Sequence, residues 1–151
     1  MDLFILKKCP TLLQFMKKFV ITLFLILASF CQAEYSYQLA ICAIFQNEAP
    51  YLKEWIEYNR LMGVEHFYLY NHRSSDNFQE VLQPYICSGL VNLNHVTKSA
   101  ESIVDFNPLQ CECYTECLKQ SRGVCKWLAF IDIDEYFLPM NEQTVPPILK
   151  E

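Results

Sequence analysis

Three features of the 151-residue sequence predict an α/β fold with a mainly parallel sheet and flanking helices. Apolar runs of strand length alternate with helix-period segments from residue 38 onward, the first run is apolar throughout, and turn residues rather than low-complexity linkers separate the segments. A chain with 52% apolar and 19% charged residues has the composition of a packed domain, and its length suits one hydrophobic core.

The first predicted strand, residues 39–45 (LAICAIF), is nearly unbroken in hydrophobicity, as expected of a central strand covered on both faces. Asn47, Glu48 and Pro50 end it. Proline suits the first turn of a helix, where its missing N–H has no intrahelical partner. The helix expected over residues 51–62 puts Leu52, Trp55, Ile56 and Asn59 on one stripe, a core-packing pattern for Trp55, with Gly63 at its C-terminal end. A second strand over 65–70 leads into the polar segment Asn71-His72-Arg73-Ser74-Ser75-Asp76, followed by a short helix over 77–86. Residues 90–96 alternate apolar and polar, the mark of a half-exposed strand near a sheet edge. An eleven-residue loop is expected over 97–107, then a helix of about fourteen residues after Pro108 that ends near Gly123. The fourth strand, 126–134, begins apolar and finishes with Asp132 and Asp134.

The first 33 residues read as a separate unit. An apolar run over 19–30 follows Met16-Lys17-Lys18 and precedes Cys31-Gln32-Ala33, the layout of a signal peptide, or of an uncleaved anchor that recruits Leu12, Leu13 and Phe15. Either form implies export or membrane anchoring through the secretory pathway. The predicted organisation is therefore 1–33 as signal peptide or signal anchor and 38–151 as the folded domain.

Charge divides the same way. Lys7, Lys8, Lys17, Lys18 and Asp2 make the leader +3, which leaves the body at −8. An acidic body without a basic stripe excludes sequence-independent nucleic-acid binding, which depends on Lys and Arg displacing counterions from phosphates. A diphosphate ligand would need a cation from elsewhere. Six cysteines lie in the body: Cys42, Cys87, Cys111, Cys113, Cys117 and Cys125. Their spacing lacks CxxC and a completing histidine, so a structural zinc is disfavoured and buried thiols or disulfides remain the alternatives.

In an open parallel sheet, ligands bind at the carboxyl ends of the strands, so Asn47-Glu48, Ser74-Ser75-Asp76 and the Asp132/Asp134 pair are expected to converge. The strand period of two places both aspartates on one side, where they can hold a hard divalent cation, Mn²⁺ or Mg²⁺, that leaves positions open for diphosphate oxygens. Asp-x-Asp alone is a common motif, and a strand end meeting water explains it equally well. His72 and Arg73 fit phosphate contacts or a solvated turn. His66 and His95 read as structural.

Residues 45–48 (FQNE), 52–55 (LKEW), 63–70 (GVEHFYLY), 74–76 (SSD) and 127–137 (WLAFIDIDEYF) together resemble glycosyltransferase family 92 and its family-2-like relatives, in order and in spacing. The resemblance implies a GT-A fold with a Rossmann-like nucleotide-sugar-binding half, an inverting transfer, a nucleotide-sugar donor, a glycan or other hydroxyl acceptor and a divalent metal. By matching position it implies Asp132 and Asp134 as the metal and diphosphate pair, Asn47 and Glu48 beside the nucleotide, and Ser75 and Asp76 flanking the base or ribose; Glu135 extends the acidic motif. The general base and acceptor site are expected in a later segment, so the chain reads as a partial domain. A non-catalytic binding or interaction module and a small disulfide-stapled exported protein are the competing readings.

Overall fold

The computed structural model describes Phe19 and residues 35–149 other than residue 101. Apart from Phe19, the leader predicted over 1–33 lies outside the described residues; among those described, no helix is long and apolar enough to cross a membrane. The elements of the body follow in the order β1 (Tyr37–Phe45), α1 (Ala49–Leu61), β2 (His66–His72), α2 (Phe78–Cys87), β3 (Val91–Val96), α3 (Ile103–Ser121), β4 (Cys125–Phe130) and a 3₁₀ turn at Pro146–Ile148.

The four strands form one sheet in the order β3-β2-β1-β4, and every pairing is parallel. This is the predicted α/β architecture, with β1 inside the sheet and β3 at an edge. Hydrophobicity on both faces of β1 has its explanation in two separate cores. Leu39, Ile41, Ala43 and Phe45 pack with Leu52, Trp55, Ile56, Phe67 and Leu82 on the side of α1 and α2. Ala40, Cys42 and Ile44 face the opposite way, toward Cys113 and Cys117 of α3. Burial of side chains such as Leu52, Ile56 and Phe67 contributes about 1.5–3 kcal/mol each, which makes this double layer the main source of stability.

Local chemistry sets the helix ends. The backbone N–H of Ala49 donates to Asp76 Oδ2 at 2.8 Å, so a carboxylate from the loop after β2 satisfies an orphan donor at the start of α1. Gly63 terminates α1 at φ +96°, a left-handed conformation that side chains disfavour, and a Cβ there would meet Pro146 Cδ at 2.6 Å. Val145 N–H donates to Met62 O at 2.8 Å and holds the C-terminal segment against that turn.

Two boundaries differ from the sequence expectation by about four residues or more. α3 starts at Ile103, not after Pro108, because Ser102 caps it: its Oγ accepts from Asp105 N–H at 3.3 Å and donates to the Asp105 carboxylate at 2.7 Å. Pro108 sits inside the second turn and the expected eleven-residue loop is correspondingly shorter. β4 ends at Phe130, four residues before Asp134. The six body cysteines are thiols: Cys42, Cys113, Cys117 and Cys125 are buried, while Cys87 and Cys111 are exposed. Of the two alternatives for these cysteines, the structure takes the buried-thiol one. Burial pushes the Cys113 and Cys125 thiols up, and contact with Cys117 followed by burial does the same to Cys42, so these three stay protonated and pack as small apolar groups.

Candidate functional site

A cleft of about 610 Å³ opens at the carboxyl edge of the sheet. Glu48 from the loop after β1, Tyr51 from the first turn of α1, His72 at the end of β2, Phe106 and Gln110 from α3, and the segment Asp132–Tyr136 after β4 contribute to its wall. Parallel strands deliver their C-terminal ends to this one edge, which is why residues as far apart in sequence as Glu48 and Tyr136 meet there.

The aspartates reach the cleft by a route other than strand alternation. Beyond Phe130 the chain leaves the sheet and turns: Glu135 N–H donates to Asp132 O at 3.1 Å, and Asp132 N–H donates to Glu135 Oε2 at 3.0 Å. Ile133 is buried in the core, and Asp132 and Asp134 are exposed on either side of it, both lining the cleft. Two donors on α1 fix the turn from below. Trp55 Nε1 donates to Glu135 O at 2.9 Å and the Tyr58 hydroxyl donates to Phe137 O at 2.8 Å.

Carboxylates dominate the electrostatics at this end. Partial burial raises the Asp132 carboxyl above the ordinary carboxylate range, and the nearby carboxylates of Glu135 and then Asp134 add to the shift. Among the described residues that line the cleft, none is a Lys or Arg that would offset these charges. Among the described residues no set of three or more His, Cys, Asp or Glu is arranged to enclose a metal ion. An aspartate pair with hard oxygen donors nonetheless fits the open manner in which Mg²⁺ or Mn²⁺ is bound, with one or two carboxylates and the remaining positions left for water and diphosphate oxygens.

Asn47, Ser75 and Asp76 occupy a different position from Glu48, Asp132 and Asp134. They are not on the cleft wall but knit the loop after β1 to the loop after β2. Asn47 N–H donates to Ser74 Oγ at 2.8 Å, Asn47 Oδ1 accepts from Ser75 N–H at 2.8 Å and from Ser75 Oγ at 3.3 Å, and Asp76 accepts from Ala49 N–H. Asp76 keeps a second carboxylate oxygen that is buried and unpartnered. Asn47 (φ +57°) and Arg73 (φ +56°) both adopt left-handed backbone in these loops, a conformation that asparagine tolerates better than arginine. Arg73 is exposed, whereas His72 belongs to β2 and is buried.

Sequence reasoning missed Tyr51, Phe106, Gln110 and Tyr136 as cleft residues and Trp55 as an anchor. Phe106 escapes because the expected helix begins after Pro108, and the Ser102-x-x-Asp105 capping pattern is the available signal; Gln110 falls inside that expected helix, and nothing local marks it as a cleft residue. Trp55 reads from periodicity as core, which it is, but its indole N–H has a second task that periodicity does not encode.

A family model described as glycosyltransferase family 92 matches residues 37–150. Similar curated proteins include a glycosyltransferase family 92 protein of Ricinus communis, 29% identical over 106 residues, covering 70% of this chain and 18% of that protein. A beta-1,4-galactosyltransferase of Caenorhabditis elegans is 32% identical over 113 residues, covering 71% of this chain and 27% of the relative. A galactan beta-1,4-galactosyltransferase of Arabidopsis thaliana is 28% identical over 121 residues, covering 78% and 24%. The chain thus spans about a quarter or less of the length of these relatives. No solved structure gives a significant match.

Proposed function

The chain belongs to glycosyltransferase family 92, and from that premise we propose that residues 38–151 form the donor-binding part of a GT-A glycosyltransferase that transfers a hexosyl group from a nucleotide sugar to a hydroxyl acceptor with inversion. The observation that carries the reading is the meeting of Glu48, Asp132 and Asp134 in one cleft at the carboxyl edge of an all-parallel sheet. Names of relatives such as beta-1,4-galactosyltransferase favour a galactosyl donor and a glycan acceptor.

In this reading Asp132 and Asp134 hold a divalent cation, Mn²⁺ or Mg²⁺, against the donor diphosphate. When bound, the cation supplies positive charge to the departing diphosphate as a Lewis acid. The chain's own residues supply position. Trp55 and Tyr58 hold the aspartate turn in place before any ligand arrives, a form of preorganisation that avoids ordering costs during binding. Tyr51, Phe106 and Tyr136 furnish aromatic walls that displace water around the donor. Asn47, Ser75 and Asp76 brace the two loops that carry Glu48 and His72, so their support for the donor is through loop geometry. Delivery to a secretory lumen through residues 1–33, as signal peptide or anchor, would place the domain where nucleotide sugars and glycan acceptors meet.

Titration calorimetry with nucleoside diphosphates, with and without Mn²⁺, tests the reading. Mn²⁺-dependent binding that is lost in Asp132→Asn with the melting temperature retained is the expected result. Binding indifferent to both the metal and the substitution would overturn it.

A further inference from the structure

The residues Asp132-Ile133-Asp134-Glu135 close a turn by two hydrogen bonds that run in opposite directions. Glu135 N–H donates to Asp132 O at 3.1 Å, and Asp132 N–H donates to Glu135 Oε2 at 3.0 Å. The second is the back-bond of a capping box, in which the residue three positions on returns its side chain to the first N–H. The usual counterpart, an Asp carboxylate at the first position accepting from the N–H of a following turn residue, is not made. The N–H of Glu135 is already taken by a backbone carbonyl, and among the described residues neither the Asp132 nor the Asp134 carboxylate accepts a hydrogen bond.

Glu135 is itself held in place. Its backbone carbonyl accepts from the indole N–H of Trp55 at 2.9 Å, and Trp55 is fully buried. A chain of two contacts thus runs from the core to the backbone of Asp132. Asp132, Ile133 and Asp134 touch the cleft, with Tyr136 beyond them, and Glu135 does not. Its side chain is exposed but committed to the turn. Closeness of the two acids also shows in the Asp132 carboxyl, which burial raises first and the charge of Glu135 next. Like charges repel, so attraction between the side chains does not hold Glu135 there; the bond to the backbone does.

We propose that Glu135 is a positioning residue for the aspartate pair: by taking Asp132 N–H it leaves both aspartate carboxylates free for a divalent cation. This inference rests on the reading that Asp132 and Asp134 hold Mn²⁺ or Mg²⁺. Without the back-bond, Asp132 N–H becomes an open donor beside two carboxylates, and short acidic side chains bond readily to nearby backbone N–H groups. A carboxylate spent on that donor is withdrawn from the cation. Groups that orient metal ligands without touching the metal commonly change metal affinity by about 10- to 100-fold when removed.

Three substitutions separate the hydrogen bond from the charge. Glu135→Gln keeps an acceptor oxygen at the same reach and removes the charge, Glu135→Asp keeps the charge on a shorter side chain, and Glu135→Ala removes both. The first measurement needs no metal: amide hydrogen exchange at Asp132, followed by NMR in the full chain, should be slow in the wild type and in Glu135→Gln and fast in the other two. The second is Mn²⁺ uptake, followed by loss of the electron paramagnetic resonance signal of free Mn²⁺, with uridine or guanosine diphosphate present. Glu135→Gln should stay within about threefold of wild type, while Glu135→Asp and Glu135→Ala should weaken by about tenfold or more at unchanged melting temperature. Affinity that follows charge, kept in Glu135→Asp and lost in Glu135→Gln, overturns the positioning role. So does a loss that runs in parallel with melting temperature across the variants. Mn²⁺ uptake abolished by Asp132→Asn but untouched by every Glu135 substitution overturns the role of Glu135 alone. A wild-type chain that takes up no Mn²⁺ with either nucleotide overturns the cation-site reading beneath it, whatever the exchange pattern.

Discussion

Trp55 and Glu135, 80 residues apart, are joined by a 2.9 Å hydrogen bond from the indole N–H to the backbone carbonyl, and this contact ties the fully buried stripe of α1 to the turn that carries Asp132 and Asp134. Core packing and site geometry therefore share one side chain. The indole fills the core between α1 and the sheet, 5.5 Å from the Phe67 ring, while its polar edge orients the acidic turn. Trp55→Phe deletes the donor and leaves a small cavity while keeping most of the aromatic volume. It should cost about 1–2 kcal/mol in urea unfolding and weaken Mn²⁺-dependent nucleotide binding several-fold, whereas Tyr58→Phe should produce a smaller change of the same kind.

Asp76 reads from the family resemblance as a nucleotide contact, but its Oδ2 is engaged with Ala49 N–H. Asp76→Ala should lower unfolding free energy by about 1 kcal/mol through loss of the cap, measured by denaturant titration. Asp76→Asn retains an acceptor oxygen and should recover most of that loss. Affinity for a nucleoside diphosphate should follow stability across the two variants if bracing is the role of Asp76, and should fall in both if the unpartnered Oδ1 contacts ligand.

Burial lowers the pKa of His66, an effect that a hydrogen bond to the backbone of Gly89 only partly opposes. The ring stacks on Tyr37 at 4.5 Å and meets Tyr68 edge-on at 4.7 Å. With the folded-state pKa below the unfolded value of about 6.5, the unfolded chain takes up the proton more readily, so stability is full above that value and declines as the pH falls through it. Urea midpoints between about pH 5 and pH 7 should show a steeper acid loss in the wild type than in His66→Phe, which keeps the stack but cannot titrate.

The cysteines offer a separate check. Iodoacetamide labelling followed by peptide mass mapping should mark Cys87 and Cys111 in the native protein. Cys42, Cys113, Cys117 and Cys125 should react only after unfolding, because they are buried. Recovery of Cys42 or Cys117 in a disulfide would contradict the thiol core.

How far the sequence revealed these features depends on whether each is a local property. Strand order and layer structure follow from periodicity: an unbroken apolar run such as residues 39–45 has to be covered twice, and the alternating run 91–96 belongs at an edge. The start of α3 is also local, written in Ser102 and Asp105, although Pro108 is the stronger punctuation mark. The aspartate turn was not local. Strand character alone would carry β4 on to Asp134, and what ends it at Phe130 is a set of partners from α1, namely Trp55 and Tyr58, together with the bond from Asp132 N–H to Glu135. Asn47, Ser75 and Asp76 illustrate the same limit. Their residue types announce a polar loop at the site, while their mutual hydrogen bonds appear only once β1 and β2 lie side by side.

The most direct test is a crystal of the protein grown with Mn²⁺ and a nucleoside diphosphate, with anomalous scattering recorded above the manganese edge. A peak about 2.0–2.3 Å from a carboxylate oxygen of Asp132 or Asp134, shared with the diphosphate, is the predicted outcome. Manganese bound away from both aspartates, or diphosphate density outside the cleft between Glu48 and Asp132, would contradict it.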